Sequence, residues 1–134
     1  QNNSEIYIMN VTGASTNNIT RTENAIEQTP FFSPDGNKIV YISNKTGVFN
    51  VHVMDKSGSN PLNLTNGTDN EISPVYSPDG GTIMFLRISG RENGIHIMNP
   101  DGRRFFLRLA DWERTHYQLL EGIYDSITFF RMQS

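Results

Sequence analysis

The stretch SPDGNKIVYISNKTGVFNVHVMD (33–55) decides the fold, because its parts return further along the chain. The segment FFSPDG (31–36) is matched by VYSPDG (75–80), which begins 44 residues later. The segment IYIMN (6–10) is matched by IHIMN (95–99), two units further on. Self-similarity at a fixed period is the signature of a repeat architecture. Three copies of a unit of about 44 residues account for the chain of 134 residues.

Each unit reads as four short strands joined by turns and loops. In the SPDG turn, proline holds φ near −65°, aspartate caps the backbone, and glycine accepts the positive φ that re-entry into a strand requires. Alternating apolar residues in KIVYIS (38–43) and VHVMD (51–55) indicate half-buried strands. Four strands in a unit of this length are typical of a β-propeller blade. The sequence therefore predicts an all-β fold built from blades of four antiparallel strands.

These motifs carry a resemblance to a known family. The pair SPDGNKIVYIS (33–43) and VHVMD (51–55), and the pair SPDGGTIMFLRIS (77–89) and IHIMN (95–99), are similar to the TolB-type, WD40-like propeller repeat. The third copy departs from the pattern, since Glu121-Gly122-Ile123-Tyr124 stands where SPDG should recur. The resemblance implies a six-bladed ring, and it is specific for the fold but weak for function.

The pattern of strands in the sequence starts and stops part-way through a blade. With strands named a to d from the ring axis outward, a single propeller-repeat domain (1–134) contains about three blades. Its predicted parts are a half blade of strands c and d (1–22), two blades (29–66 and 73–110), and a half blade of strands a and b (115–134).

A half blade leaves a bare strand edge, and closed propellers typically use four to eight blades. We therefore expect a two-fold homodimer in which the half blades complete each other to form a six-bladed ring. A fragment that pairs in another way is the first alternative. A strained ring of three blades, closed by the chain's own ends, is the second.

The loops predict where a partner binds. The a–b and c–d turns fall on one face of the ring, whereas the b–c and d–a loops, which are longer and more varied, fall on the other. Binding residues gather on loops that a rigid scaffold holds. The predicted partner-binding residues are Glu23, Asn24, Glu27, Asp69, Asn70, Glu71, Trp112, Glu113 and Arg114. Trp112 fits a binding hot spot and a plug between blades or at the dimer seam equally well.

Composition and motifs narrow the function classes. A net charge of −3 argues against a general nucleic-acid binder, and no run of apolar residues is long enough for a transmembrane helix. The absence of cysteine excludes thiol catalysis, and no familiar catalytic motif occurs. His52 and His96 hold equivalent positions on strand c, where we expect packed, hydrogen-bonded side chains and no metal ligands. We therefore predict no catalytic residue, no metal and no cofactor.

The resemblance implies a non-enzymatic scaffold that binds a protein or peptide of the cell envelope, in the periplasm or outside the cell. Three alternatives stay open at this point. Related propellers occur as domains of serine peptidases, so the chain is alternatively a peptidase fragment. Others are polysaccharide lyases that use histidines and a metal. The third alternative is a half propeller that only assembles with itself.

Overall fold

The computed structural model describes residues 3–89 and 93–105, and within these ranges it contains strands and no helix. The strands form three sheets, and every strand pairs antiparallel with its neighbours. The first sheet holds β1 (Tyr7–Met9) and β2 (Thr16–Asn18); the second holds β3 (Glu27–Phe32), β4 (Lys38–Ser43), β5 (Asn50–Asp55) and β6 (Leu62–Asn63); the third holds β7 (Glu71–Tyr76), β8 (Ile83–Arg87), β9 (Gly94–Met98) and β10 (Arg104–Phe105). The prediction of an all-β, antiparallel fold is confirmed.

The SPDG turn connects β3 to β4 through a compact set of hydrogen bonds. The Ser33 hydroxyl donates to the Asp35 carboxylate at 2.6 Å and accepts from the backbone N–H of Lys38 at 2.9 Å. Gly36 follows with φ at 72°, a conformation that glycine adopts without strain. The turn at 77–82 repeats this arrangement between β7 and β8. The turn chemistry read from the sequence therefore forms as expected.

The first strand of each four-stranded sheet carries a bulge. The pairing register shifts between Gln28 and Phe31 in β3, and again at the equivalent place in β7. Thr29 and Ser73 sit at these bulges with φ near +50°, at 50° and 53°. Bulges bend a strand and increase its twist, so both strands are shaped in the same way.

The three sheets stack face to face around two apolar layers. Because side chains alternate across a strand, Ile39 and Tyr41 of β4 face the first sheet, whereas Val40 faces the third. We call the layer between the first and second sheets the first interface; it contains Ile6, Ile19, Ile39, Tyr41 and Met54. The second interface lies between the second and third sheets and contains Val40, Val51, Val53, Leu64, Tyr76, Ile83, Phe85 and Met98.

Glycines at equivalent positions of the three units mark where a sheet comes into close contact with the sheet before it. At Gly58, in the turn after β5, an added Cβ would collide with the backbone oxygen of Ile19 in the first sheet. At Gly102 it would lie 3.2 Å from Leu64 of the second sheet. At Gly13 of the first sheet it would meet no described atom within 4 Å. Among the described residues, no further sheet packs on the face of the first sheet that is equivalent to the buried faces of the next two.

The sequence-based division of the chain stays a prediction. The half blade at 115–134 and the end of the blade at 73–110 lie outside the described residues. In the described part, the first sheet has two strands and the next two sheets have four each.

Candidate functional site

The two ends of the stacked sheets differ in how their connections are built. At one end, which we call the turn end, the turns at 33–38 and 55–60 lie side by side. The backbone N–H of Lys56 donates to Asn37 at 3.0 Å, and Lys38 pairs with Asp55 at 2.5 Å. At the other end, which we call the loop end, the connections before β3 and β7 (19–26 and 64–70) are longer, whereas the one before β5 (44–49) is as long as the turn between β5 and β6.

Asparagine side chains hold the loop end in place. The Asn44 side-chain oxygen accepts from the backbone N–H of Ile26 at 2.8 Å. In the loop between β6 and β7, the Asn70 side-chain oxygen accepts from the backbone N–H of Phe49 at 2.9 Å. Asn63 caps the start of the next loop by accepting from the backbone N–H of Asn66 at 2.8 Å. These bonds satisfy backbone groups, so the loops are fixed before any partner arrives.

The structure separates the predicted partner-binding residues into two groups. Glu23 and Asn24 are exposed, and Asp69 and Asn70 are partly exposed. Glu27 and Glu71 are buried, with exposed fractions of 3% and 0%. The remaining residues of the predicted set, Trp112, Glu113 and Arg114, lie outside the described residues.

Glu71 forms a buried ion pair at the loop end of the second interface. Its carboxylate accepts from Arg87 at 2.9 Å, and Arg87 also lies 3.9 Å from the Asp69 carboxylate. The side chains of Glu71 and Arg87 are 0% and 7% exposed. A buried charge is tolerated when it is paired and hydrogen-bonded, as it is here.

Glu27 holds the same place at the first interface with different partners. It accepts from the Ser43 hydroxyl at 2.9 Å and from the Thr22 hydroxyl at 2.5 Å. Ser43 is one unit before Arg87, so the hydroxyl stands where the next unit has a guanidinium. Among residues 3–89 and 93–105, no basic side chain forms a salt bridge with Glu27.

A cavity of about 460 Å³ opens at the first interface beside Glu27. Tyr41 and His52 line one wall, and Arg21 and Lys45 also contribute to the lining. The volume is within the range of about 300–1,000 Å³ that is usual for small-molecule sites. The small Ser43 side chain contributes to this space, whereas the much larger Arg87 occupies the equivalent position at the second interface.

His52 and Tyr41 pack together in the wall of this cavity. Their ring centroids lie 5.5 Å apart, and His52 is 7% exposed. Burial first, and the Lys45 ammonium second, lower the pKa of His52 to about 4, so the ring is neutral at pH 7. Burial and the Glu27 carboxylate raise the pKa of Tyr41 to about 12. The Nε2 atom of His52 has no hydrogen-bond partner in the described part of the chain.

The equivalent His96 stacks on Phe85, with ring centroids 5.6 Å apart. Both strand-c histidines are therefore part of the packing between sheets. Within the described ranges, no group of three or more histidine, cysteine or acidic residues is placed to hold a metal ion. No helix in those ranges is long and apolar enough to cross a membrane.

The cavity is the feature that the sequence reasoning missed. Glu27 belonged to the predicted set, but Ser43, Tyr41 and the space between them did not. One sequence signal was present, because positions 43 and 87 are equivalent in the repeat and differ strongly in size and charge. A break in a repeat at a position that faces a neighbouring sheet therefore marks a candidate site.

The stacked four-stranded sheets, with up-and-down connections and a repeated SPDG turn, define a β-propeller protein. The family model of the TolB beta propeller domain matches residues 1–110. The chain belongs to this family. No curated protein matches the sequence.

Three solved structures show the same fold at low sequence identity. The Agrobacterium tumefaciens structure assigned to TolB is 24% identical with a TM-score of 0.65, and the match covers 75% of this chain and 39% of that one. TolB from Acinetobacter baumannii is 21% identical with a TM-score of 0.57, and the match covers 71% of this chain and 24% of that one. The tricorn protease is 24% identical with a TM-score of 0.56, and the match covers 72% of this chain and 9% of that one. The chain thus spans two fifths or less of each of these proteins.

Proposed function

We propose that this chain is a propeller-forming binding module that recognises a protein or peptide through its loop end. The observation that carries the proposal is the difference between the two ends. The turn end repeats the same hydrogen-bonded turns, whereas the loop end places exposed polar side chains, among them Glu23 and Asn24, on a fixed frame. Loops on a rigid scaffold are where binding residues concentrate.

The mechanism is rigid presentation. The loop backbone is already bonded to Asn44 and Asn70, so a partner that docks there orders few new groups. Less conformational entropy is lost on binding when the surface is preorganised. Family membership supports a cell-envelope setting, in the periplasm or outside the cell, and we include that location in the proposal. Trp112, Glu113 and Arg114 remain part of the proposed surface.

A second copy of the chain completes the ring in this proposal. Tyr7 and Met9 of the first sheet are 58% and 70% exposed, whereas the equivalent His52 and Met54 of the second sheet are 7% and 1% exposed. Together with the open approach at Gly13, this supports a further sheet stacked on the first one. We propose that the second copy supplies that sheet, with residues 115–134 adding the two inner strands, in a six-bladed homodimer.

A peptide-display selection tests the binding proposal. Peptides selected on the unmodified protein are titrated by fluorescence anisotropy against a Glu23→Lys, Asn24→Lys double variant. Both side chains are exposed, so the variant is expected to fold and to bind about tenfold or more weakly. The matched control is Lys56→Glu at the turn end, which is expected to bind normally. Failure to select any peptide, or equal losses in both variants, would contradict the proposal.

A further inference from the structure

The two interfaces contain the same buried carboxylate in two different chemical environments. At the second interface, Glu71 pairs with the guanidinium of Arg87. This pair shows that a guanidinium fits beside the buried glutamate at this point of the repeat. At the first interface, Glu27 is 3% exposed, and within residues 3–89 and 93–105 its carboxylate accepts hydrogen bonds from hydroxyls only. Glu27 and Ser43 both line the cavity, so the position equivalent to the Arg87 side chain opens into it. The third sheet thus provides an internal template for a ligand of the first interface.

The charge and hydrogen-bonding capacity of the cavity fit a guanidinium group. A carboxylate accepts two parallel N–H bonds from a guanidinium, and such charge-assisted pairs are stronger than neutral hydrogen bonds. A guanidinium is also less strongly hydrated than an ammonium and stacks on aromatic rings. Tyr41 offers such a ring, and the neutral His52 leaves Nε2 without a partner in the described residues.

Two cationic side chains of this chain also line the cavity, and their positions affect how well it can bind a further cation. The Arg21 guanidinium donates to the Asn18 backbone oxygen at 3.1 Å and to the Asn17 side chain at 3.3 Å, so it is held along β2. Lys45 is exposed on the b–c loop. Its charge opposes an incoming cation, and removing that charge is expected to tighten binding.

We propose that this cavity binds the guanidinium of an arginine side chain from the partner, in the position that Arg87 fills at the second interface. The inference rests on the proposed peptide-binding function and names the partner's chemistry. Glu27 receives the guanidinium, with the Tyr41 ring beside it. The partner's arginine would thus complete at the first interface the ion pair that the chain makes for itself at the second.

The test uses two small probes that differ only in charge and donor pattern. Nα-acetyl-arginine amide and its citrulline analogue are titrated into the full chain at millimolar concentrations, with NMR shifts of Tyr41 and His52 as the readout. We expect saturable shifts with the arginine probe and about tenfold or weaker binding of the neutral analogue. Equal binding of both probes, or no binding of either, would overturn the inference.

Variants of the chain sharpen the result. Ser43→Arg copies the second interface and is expected to abolish binding of the arginine probe, whereas Glu27→Gln weakens it about tenfold or more and Lys45→Ala strengthens it. Lys56→Ala, at an exposed lysine of the turn end that does not line the cavity, serves as the matched control for Lys45→Ala, with no expected effect on the probe. If Ser43→Arg does not fold, the comparison of the two probes on the unmodified chain still tests whether the cavity binds a guanidinium.

The two proposals fail in different ways. If display-selected peptides bind the loop end but the arginine probe does not bind, the guanidinium site is wrong and the binding function stands. If the probe binds at Glu27 but no selected peptide binds, the cavity stands and the peptide-binding function is wrong. Selected peptides that carry an arginine and lose about tenfold in affinity in Ser43→Arg support both.

Discussion

The two interfaces between sheets share one pattern of buried residues, and at the loop end they differ by an exchange of size and charge. Both bury a strand-c histidine against an aromatic ring and a glutamate at the loop end. The second interface closes this end with Arg87, whereas the first has Ser43 and a cavity of about 460 Å³. The comparison teaches that the repeated residues build the stack, while the exchange of Arg87 for Ser43 changes the charge and the space at its loop end.

Breaking the ion pair of the second interface gives the largest expected effect. Arg87→Met leaves the Glu71 carboxylate buried without its cation, which typically costs about 3–5 kcal/mol of unfolding free energy. Urea denaturation monitored by circular dichroism measures the loss. The matched change at the first interface, Ser43→Ala, removes two hydrogen bonds, one donated to Glu27 and one accepted from the backbone N–H of Lys45, and is expected to cost about 2 kcal/mol. Equal losses in the two variants would show that the interfaces do not differ in the way described.

The pH dependence of stability tests the first interface through His52. Its pKa is about 4 in the folded chain and 6.5 when unperturbed, so the unfolded chain binds the proton more readily. The contribution is therefore fully present above pH 6.5 and is lost as the pH falls towards 4, by about 3 kcal/mol in all. Acidic groups also titrate there, so the measured quantity is the difference between the unmodified chain and His52→Gln. A difference that is independent of pH between 7 and about 4 would exclude a neutral buried histidine.

The close approach between sheets gives a smaller effect. Gly58→Ala places a methyl group against the backbone oxygen of Ile19, at a residue whose φ is 87°. Overpacking of this kind typically costs about 1–3 kcal/mol. Thermal denaturation checks the loss, and Gly67→Ala is the control, because an added Cβ there has only ordinary contacts and no positive φ is involved. A Gly58 variant as stable as this control would contradict the stacking geometry.

Much of the fold was predictable because it depends on local chemistry that repeats. SPDG specifies a turn by itself, and the alternation in KIVYIS and VHVMD assigns side chains to two faces. The cavity was not predictable in the same way, since it depends on which sheet each face meets. Glu27 looked like a loop residue available to a partner, but strand pairing with Ser43 places its side chain inside.

The predicted site residues also differ in whether a local sequence pattern accounts for their surroundings. Glu23 and Asn24 precede β3 and stay exposed, so loop position alone described them adequately. Asn70 also lies in a loop, yet its side chain bonds to the backbone of Phe49, a contact between loops that no local pattern encodes. Trp112, Glu113 and Arg114 remain predictions from the repeat phase.

Solution mass measured by multi-angle light scattering tests the central claim, that the first sheet presents an open copy of a stacking face, most directly. The account predicts a particle of twice the chain mass of 15.2 kDa. Gly13→Ala, which adds a methyl group to the open face, is expected to shift this particle towards the single chain. A folded species of 15.2 kDa that does not associate, with the same mass in the Gly13 variant, would contradict the account.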